Sequence, residues 1–429
     1  MKVAIYTLGC KVNQYETQAM EQSLRARGHQ VVDFTAEADA YVVNTCSVTA
    51  VSDQKSRQTI HRVKKQHPHA VVAVCGCYPQ THAEDVRALE VDLIAGTGDR
   101  EGFVSLLEQT AAEKRRIEAI DRPFERRAFE VLPAGGLSER TRAMLKVEDG
   151  CVNFCSYCII PYARGPVRSA PLQTAAAQAA ALEAEGYREI VLTGIEISSW
   201  GRDLAGEETL IDLLEAVCAA APRLRVRLGS LEPRTITEEF CRRAAALPNL
   251  CPQFHLSLQS GCDATLRRMN RKYDTARYGR SVDLLNEFFH HPAITTDLIT
   301  GFPEETEEEF AQTLEFLFRC GFAQMHIFPY SIRPGTPAAA MQQVPKAVKE
   351  DRARRAAAVA DALHRVYLAD CVGEVCAVLF EQPRSGRFVG HAPNYMEVAV
   401  VGEGLHNVVK SVRITGSNGH LLLGELLED

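Results

Sequence analysis

The residues best suited to redox chemistry are three closely spaced cysteines, Cys151-Val-Asn-Phe-Cys155-Ser-Tyr-Cys158. Three thiolates hold three irons of a four-iron cluster and leave one iron open to bind and reduce a substrate or cofactor, whereas ferredoxin-type carriers close the cluster with four. A structural zinc wants a fourth ligand, and no His or Cys follows at the usual short spacing. Zinc, and three cysteines that merely pack, are the competing readings. A second set is dispersed: Cys10, Cys46 and Cys77 each lie just past an apolar run of strand character, at Val3–Tyr6, Tyr41–Val43 and Val71–Val74. Their separations exclude a single-loop site. In a parallel sheet, however, consecutive βα turns emerge on one edge, so these thiols can converge outside the strand ends and hold a second cluster. Three thiols packed in an α/β core is the alternative, because free cysteine is by habit a small buried hydrophobe.

The elements that must position these groups follow from periodicity. Residues 1–112 alternate short apolar runs with helical patterns and predict a parallel α/β domain. Within it, Gln14–Arg27 is expected to be a helix stopped by Gly28, and Ser52 to cap a helix carrying Lys55, Arg57, Arg62, Lys64 and Lys65. The charged, pattern-poor stretch that follows predicts a linker over 113–138. Over 139–367 the alternation resumes with six strand candidates: Met144–Val147, Ile190–Thr193, Val226–Gly229, Phe254–Leu258, Ile294–Leu298 and Met325–Pro329. Six βα units predict a partial (β/α)6 barrel with functional groups at the C-terminal strand ends, where Cys151, Cys155 and Cys158 fall. A long helix over Lys346–Asp370 closes this region, and 368–429 predict a small all-β barrel of short alternating strands.

With 429 residues, 46% of them apolar, the chain can bury several cores. Fourteen cysteines are too sparse for a disulfide scaffold. The start reads as a strand rather than a signal peptide and no apolar run is long enough to span a bilayer, so the expected setting is cytoplasmic, with no membrane partner. A formal net charge of -7 means that a nucleic-acid contact must come from local basic patches. The segment 263–280, with Arg267, Arg268, Arg271, Lys272, Arg277 and Arg280 against Asp263 and Asp274, is one candidate, a solvated helix face being the plain alternative. In the C-terminal domain acidic residues outnumber basic ones.

The spacing Cys-x-x-x-Cys-x-aromatic-Cys, with Tyr157 as the aromatic, resembles the signature of the radical S-adenosylmethionine superfamily. Thr7-Leu-Gly-Cys10-Lys-Val-Asn13-Gln-Tyr-Glu16, Asn44-Thr-Cys46-Ser-Val-Thr49 and Gly76-Cys77-Tyr-Pro-Gln80 resemble the three cysteine motifs of the methylthiotransferases, and the Lys-Val-Asn-Gln-Tyr-Glu continuation is similar to their MtaB branch. His255-Leu-Ser-Leu-Gln259, Asp297-Leu-Ile-Thr-Gly301-Phe-Pro and Arg333-Pro-Gly-Thr-Pro337 match the family's central domain, and the C-terminal region resembles its TRAM domain. The resemblance implies two [4Fe-4S] clusters, on Cys151/Cys155/Cys158 and on Cys10/Cys46/Cys77, with S-adenosyl-L-methionine as cofactor. It implies replacement of the C2–H of N6-threonylcarbamoyladenosine, 3′ of the tRNA anticodon, by a methylthio group, with an electron donor of flavodoxin or ferredoxin type. Isopentenyladenosine in tRNA, a ribosomal protein, or a non-catalytic iron-sulfur RNA-binding module are the alternatives. Tyr157 and the strand-end residues Thr193, Gly194, Ser257, Gln259 and Asp297 are the candidates for cofactor binding, a helix cap or satisfied turn being the plain reading of each polar one. The third motif departs from the family, with Cys75 before Gly76 and Pro79 after Cys77, which makes Cys75 a competing ligand.

Overall fold

A computed structural model describes residues 1–136 and 141–427. Residues 2–119 form a parallel sheet of order β2-β1-β3-β4-β5-β6, from β1 Lys2–Thr7, β2 Gln30–Val32, β3 Ala40–Thr45, β4 Val71–Gly76, β5 Leu93–Ala95 and β6 Ile117–Ala119. Every residue of β3 is buried, as a central parallel strand covered on both faces requires. Helix α1 (Lys11–Ala26) follows β1, and α2 (Ala50–Gln66) follows β3. The cap of α2 is Thr49, whose side chain accepts from the Ser52 amide, so the expected cap lies three residues late: Thr49 has the extended backbone a cap needs and Ser52 is already helical. The segment read as pattern-poor supplies β6, whose three residues are too few for periodicity to register. The expected boundary at 138/139 lies outside the described residues, as do the last two residues of the C-terminal domain.

Six parallel strands build the second unit: Arg142–Lys146, Glu189–Thr193, Arg225–Leu228, Gln253–Leu256, Ala293–Thr300 and Gln324–Pro329. The first three form one sheet; the last three, with Ser230–Leu231, form another, and a Val226–Leu250 bridge joins the two halves. The first and sixth strands do not pair with each other, so the barrel is open on that side. Helix α1 of the first domain lies against the first strand there. The main core is the aliphatic and aromatic shell between these strands and their outer helices, including Leu192, Leu228, Phe254, Leu298 and Phe310.

The helix Lys346–Asp370 packs along the sixth strand and leads into a closed five-stranded barrel. That barrel sits at the N-terminal strand ends: Arg225 donates to the carbonyls of Ala377 and His391, Arg227 donates to that of Pro393 (2.9 Å), and Arg142 pairs with Glu381 (3.0 Å). The cysteines lie at the other end, so the C-terminal barrel floors the lumen rather than flanking its mouth. No helix among the described residues is long and apolar enough to cross a membrane.

Candidate active site

Three strand ends deliver the first thiol set. Cys10 is the N-cap of α1, Cys46 follows β3, and Cys77 opens the short helix Cys77–Thr81 directly after β4. The glycines before Cys10 and Cys77 are required by space as well as conformation. Gly9 (φ +118°) would put a Cβ 2.8 Å from the Cys46 Cβ, and Gly76 (φ +101°) would put one 2.4 Å from the Thr45 carbonyl oxygen. Asn13 ties the loops together, its amide donating to the carbonyls of Leu8 and Thr45 (both 2.8 Å) while its side-chain oxygen accepts from the Cys10 thiol (3.7 Å). Burial pushes the Cys77 thiol up to about 12, with the neighbouring Cys46 and Cys10 adding to the rise. Cys75 lies within β4, fully buried in the apolar core with Leu93 and Val42, and Cys10, Cys46 and Cys77 are not among the charges that act on it.

The second set occupies the loop after the first barrel strand. Burial raises the Cys151 thiol and takes Cys158 up to about 12, and each feels other thiols of the triad. Arg271 donates to the Cys155 sulfur (3.2 Å) and to the Ser257 carbonyl, and packs on the Tyr273 ring. Phe154 (φ +46°) and Gln259 (φ +67°) hold left-handed backbone that side chains rarely adopt, and Asn270 pins the first by donating to the Phe154 carbonyl (2.8 Å). Tyr157 packs edge-on against Phe302, with ring centroids 6.4 Å apart.

The two sets are joined through buried ions. Arg164 ends the short helix that begins just after Cys158, and its guanidinium donates to Asn13 (3.0 Å) and to Glu16 of α1. Glu16 also meets Arg100 (3.2 Å) and Lys146 (3.7 Å); all four side chains are at most 1% exposed. Burial alone raises the Glu16 carboxyl, but Arg164, Arg100 and Lys146 outweigh it and hold the group down at about 2. On the other flank, buried Arg333 pairs with Asp53 (2.6 Å) and donates to Ser47, beside Cys46.

Of the strand-end candidates, Thr193, Gly194 and Asp297 line a cavity of about 810 Å³ that also reaches Cys10 and Lys11. Ser257 and Gln259 do not line it. Asp297 is clamped by His255 (3.4 Å) and His326 (3.2 Å), which hold its carboxyl well below the usual range against the effect of burial. The basic segment 263–280 is largely spent internally: Arg268 pairs with Glu309, Arg271 serves Cys155, and Arg277 caps the carbonyls of Arg234 and Ile236. Arg267, Lys272 and Arg280 remain exposed. Sequence reasoning missed the roles of Asn13, Glu16, Arg164 and Arg271, and only the proximity of the first two to Cys10 signalled any of them.

The donor set fits clusters better than single ions. Two thiolates on one zinc, each at about 2.3 Å, lie less than ~4.6 Å apart. Among the described residues the groups of three ligand atoms within 4.8 Å of one another are His255/Asp297/His326 and His291/Cys371/Glu374, and neither cysteine triad is so close. A polar cofactor beside Gly194 also fits: Glu148 is fully buried there, and its Oε1 has no partner among the described residues.

A family model described as an uncharacterized protein family, UPF0004, matches residues 2–96, and the radical SAM superfamily model matches 145–317. The chain is 39% identical to the threonylcarbamoyladenosine tRNA methylthiotransferase MtaB of Bacillus subtilis, over 93% of this chain and 90% of that one. It is 32% identical to a tRNA-2-methylthio-N(6)-dimethylallyladenosine synthase of Desulfitobacterium hafniense, over 100% and 98%. Among solved structures, the radical S-adenosylmethionine methyltransferase TsrM of Kitasatospora setae superposes with a TM-score of 0.59 at 15% identity, over 79% of this chain and 75% of that one, a likeness of fold. Paired thiol triads on an open radical SAM barrel, with MtaB proteins matching from end to end, make the chain a member of the MtaB branch of the radical S-adenosylmethionine methylthiotransferases.

Proposed function

We propose that this enzyme converts N6-threonylcarbamoyladenosine, 3′ of the anticodon in tRNA, to its 2-methylthio derivative. One observation carries the reading: Arg164, just past Cys158, hydrogen-bonds Asn13, which holds Cys10, so both thiol triads address one open barrel mouth. In this reading Cys151, Cys155 and Cys158 hold one [4Fe-4S] cluster and Cys10, Cys46 and Cys77 a second, while Thr193, Gly194 and Asp297 face S-adenosylmethionine. When bound, the first cluster would supply one-electron reduction of S-adenosylmethionine and the second would supply sulfur, chemistry that acid–base groups cannot perform on an aromatic C–H.

The chain's own residues orient and protect. Arg271 places a fixed cation on Cys155, which offsets the cost of burying thiolate charge. Tyr157 and Phe302 pack edge-on beside the Cys151 loop and stiffen it, and Glu16 and Arg333 tie the first domain to the barrel. Exposed Phe124, Phe154 and Tyr162 cluster beside the Cys151 loop, with Phe124 and Phe154 stacked at 6.3 Å. Such a surface suits splayed bases of a single-stranded loop. A cytoplasmic setting and a flavodoxin- or ferredoxin-type donor complete the proposal. The test is in vitro: reconstituted enzyme, reductant and S-adenosylmethionine with tRNA bearing either threonylcarbamoyl- or isopentenyladenosine. Methylthiolation confined to the first supports the reading; product from the second alone overturns it.

A further inference from the structure

Lys11 directly follows Cys10 and opens α1, and its side chain enters the lumen through the open side of the barrel, lining the same cavity as Thr193, Gly194 and Asp297. It is solvent-accessible there yet surrounded by protein. Both arginines that line the cavity have their carboxylates, Arg227 gripping Glu189 with two bonds (2.9 and 3.1 Å) and Arg142 pairing with Glu381 (3.0 Å), while His326 and His255 share Asp297. Lys11 makes no hydrogen bond or ion pair among the described residues. His326, on the sixth strand, feels the Lys11 charge, and its Nδ1 is held by Asp297 while its other ring nitrogen has no bond among the described residues.

This inference rests on the proposed substrate. A threonylcarbamoyl group ends in a free carboxylate and an isopentenyl group has none. We propose that Lys11, with His326 beside it, binds the threonyl carboxylate of the substrate nucleoside and is the specificity-determining residue of the site. Leaving one partner of such a desolvated pair unmatched costs on the order of 10²-fold in affinity. S-adenosylmethionine also carries a carboxylate, and the experiment separates the two sources.

Wild-type, Lys11→Gln and Lys11→Arg holoenzymes are compared on anticodon stem-loops bearing N6-threonylcarbamoyladenosine, its threonyl methyl ester, or isopentenyladenosine. The readouts are stem-loop Kd by fluorescence anisotropy, product formation, and KM for S-adenosylmethionine. Esterification is expected to weaken wild-type binding about 10²-fold. K11Q is expected to lose about the same on the acid while becoming indifferent to esterification, with K11R recovering part of the loss. If K11Q still distinguishes acid from ester, the carboxylate is bound elsewhere and the inference falls. If K11Q instead raises the KM for S-adenosylmethionine with that distinction intact, Lys11 holds the cofactor's carboxylate and the inference falls too. A wild-type enzyme that methylthiolates only the isopentenyl stem-loop overturns the proposed function itself, which the first two results leave standing.

Discussion

Replacing Glu16 by Gln keeps the shape of the side chain and removes a carboxylate that α1 contributes to the buried junction between the first domain and the barrel. Arg164, Arg100 and Lys146 then lose a shared counter-charge. Asp149 remains, 3.2 Å from Lys146, 3.5 Å from Arg164 and 3.4 Å from Arg168, so the loss is partly offset. Breaking a buried pair by removing one partner costs about 3–5 kcal/mol, and with Asp149 in place the lower end is expected. The depressed carboxyl leads to the same size: a fall from 4.5 to about 2 corresponds to about 3 kcal/mol at neutral pH. Because the folded-state value lies below the unfolded one, this stability is fully present above about pH 4.5 and disappears as pH falls toward 2. Urea unfolding of the reconstituted enzyme at pH 7 and pH 4 measures both effects. The variant should be about 3 kcal/mol less stable at pH 7 and should lose less stability than the wild type on going to pH 4. A loss below about 1 kcal/mol at pH 7, or an unchanged acid limb, would refute the idea that Glu16 is the charged keystone of this junction.

Three further variants probe the site. Cys155→Ala is expected to abolish reductive cleavage of S-adenosylmethionine, whereas Cys46→Ala should still yield 5′-deoxyadenosine under reduction yet insert no sulfur; methylthiolated product from the Cys46 variant at the native rate would sink the auxiliary-cluster assignment. Phe154→Ala should weaken binding of an anticodon stem-loop by about 1–3 kcal/mol through one lost stacking partner, and an unchanged Kd in a salt-controlled titration would remove the exposed aromatic trio from the RNA-binding surface.

Much of the architecture was legible because it is written locally. The six barrel strands and the helix Lys346–Asp370 stand where periodicity predicts them, and the predicted position of Cys10, Cys46 and Cys77 past their strands holds. What local pattern does not encode is pairing between distant charges. Arg164 and Glu16 are separated by 148 positions and Arg271 and Cys155 by 116, and nothing in the spacing of either residue announces its partner. For the same reason the segment 263–280 looks from sequence like a basic face, although Arg268, Arg271 and Arg277 are turned inward to Glu309, Cys155 and backbone carbonyls. The C-terminal barrel was foreseeable as a fold but not as a floor, since its seat on Arg142, Arg225 and Arg227 depends on tertiary placement alone.

The central claim is most directly tested by mass spectrometry of tRNA nucleosides from a strain lacking this chain, with and without the chain restored. The account predicts that 2-methylthio-N6-threonylcarbamoyladenosine is absent without the chain and returns on restoration, while restoration of the Cys155→Ala variant leaves it absent. An unchanged level of that nucleoside, with methylthiolated isopentenyladenosine or a ribosomal protein responding instead, would contradict it.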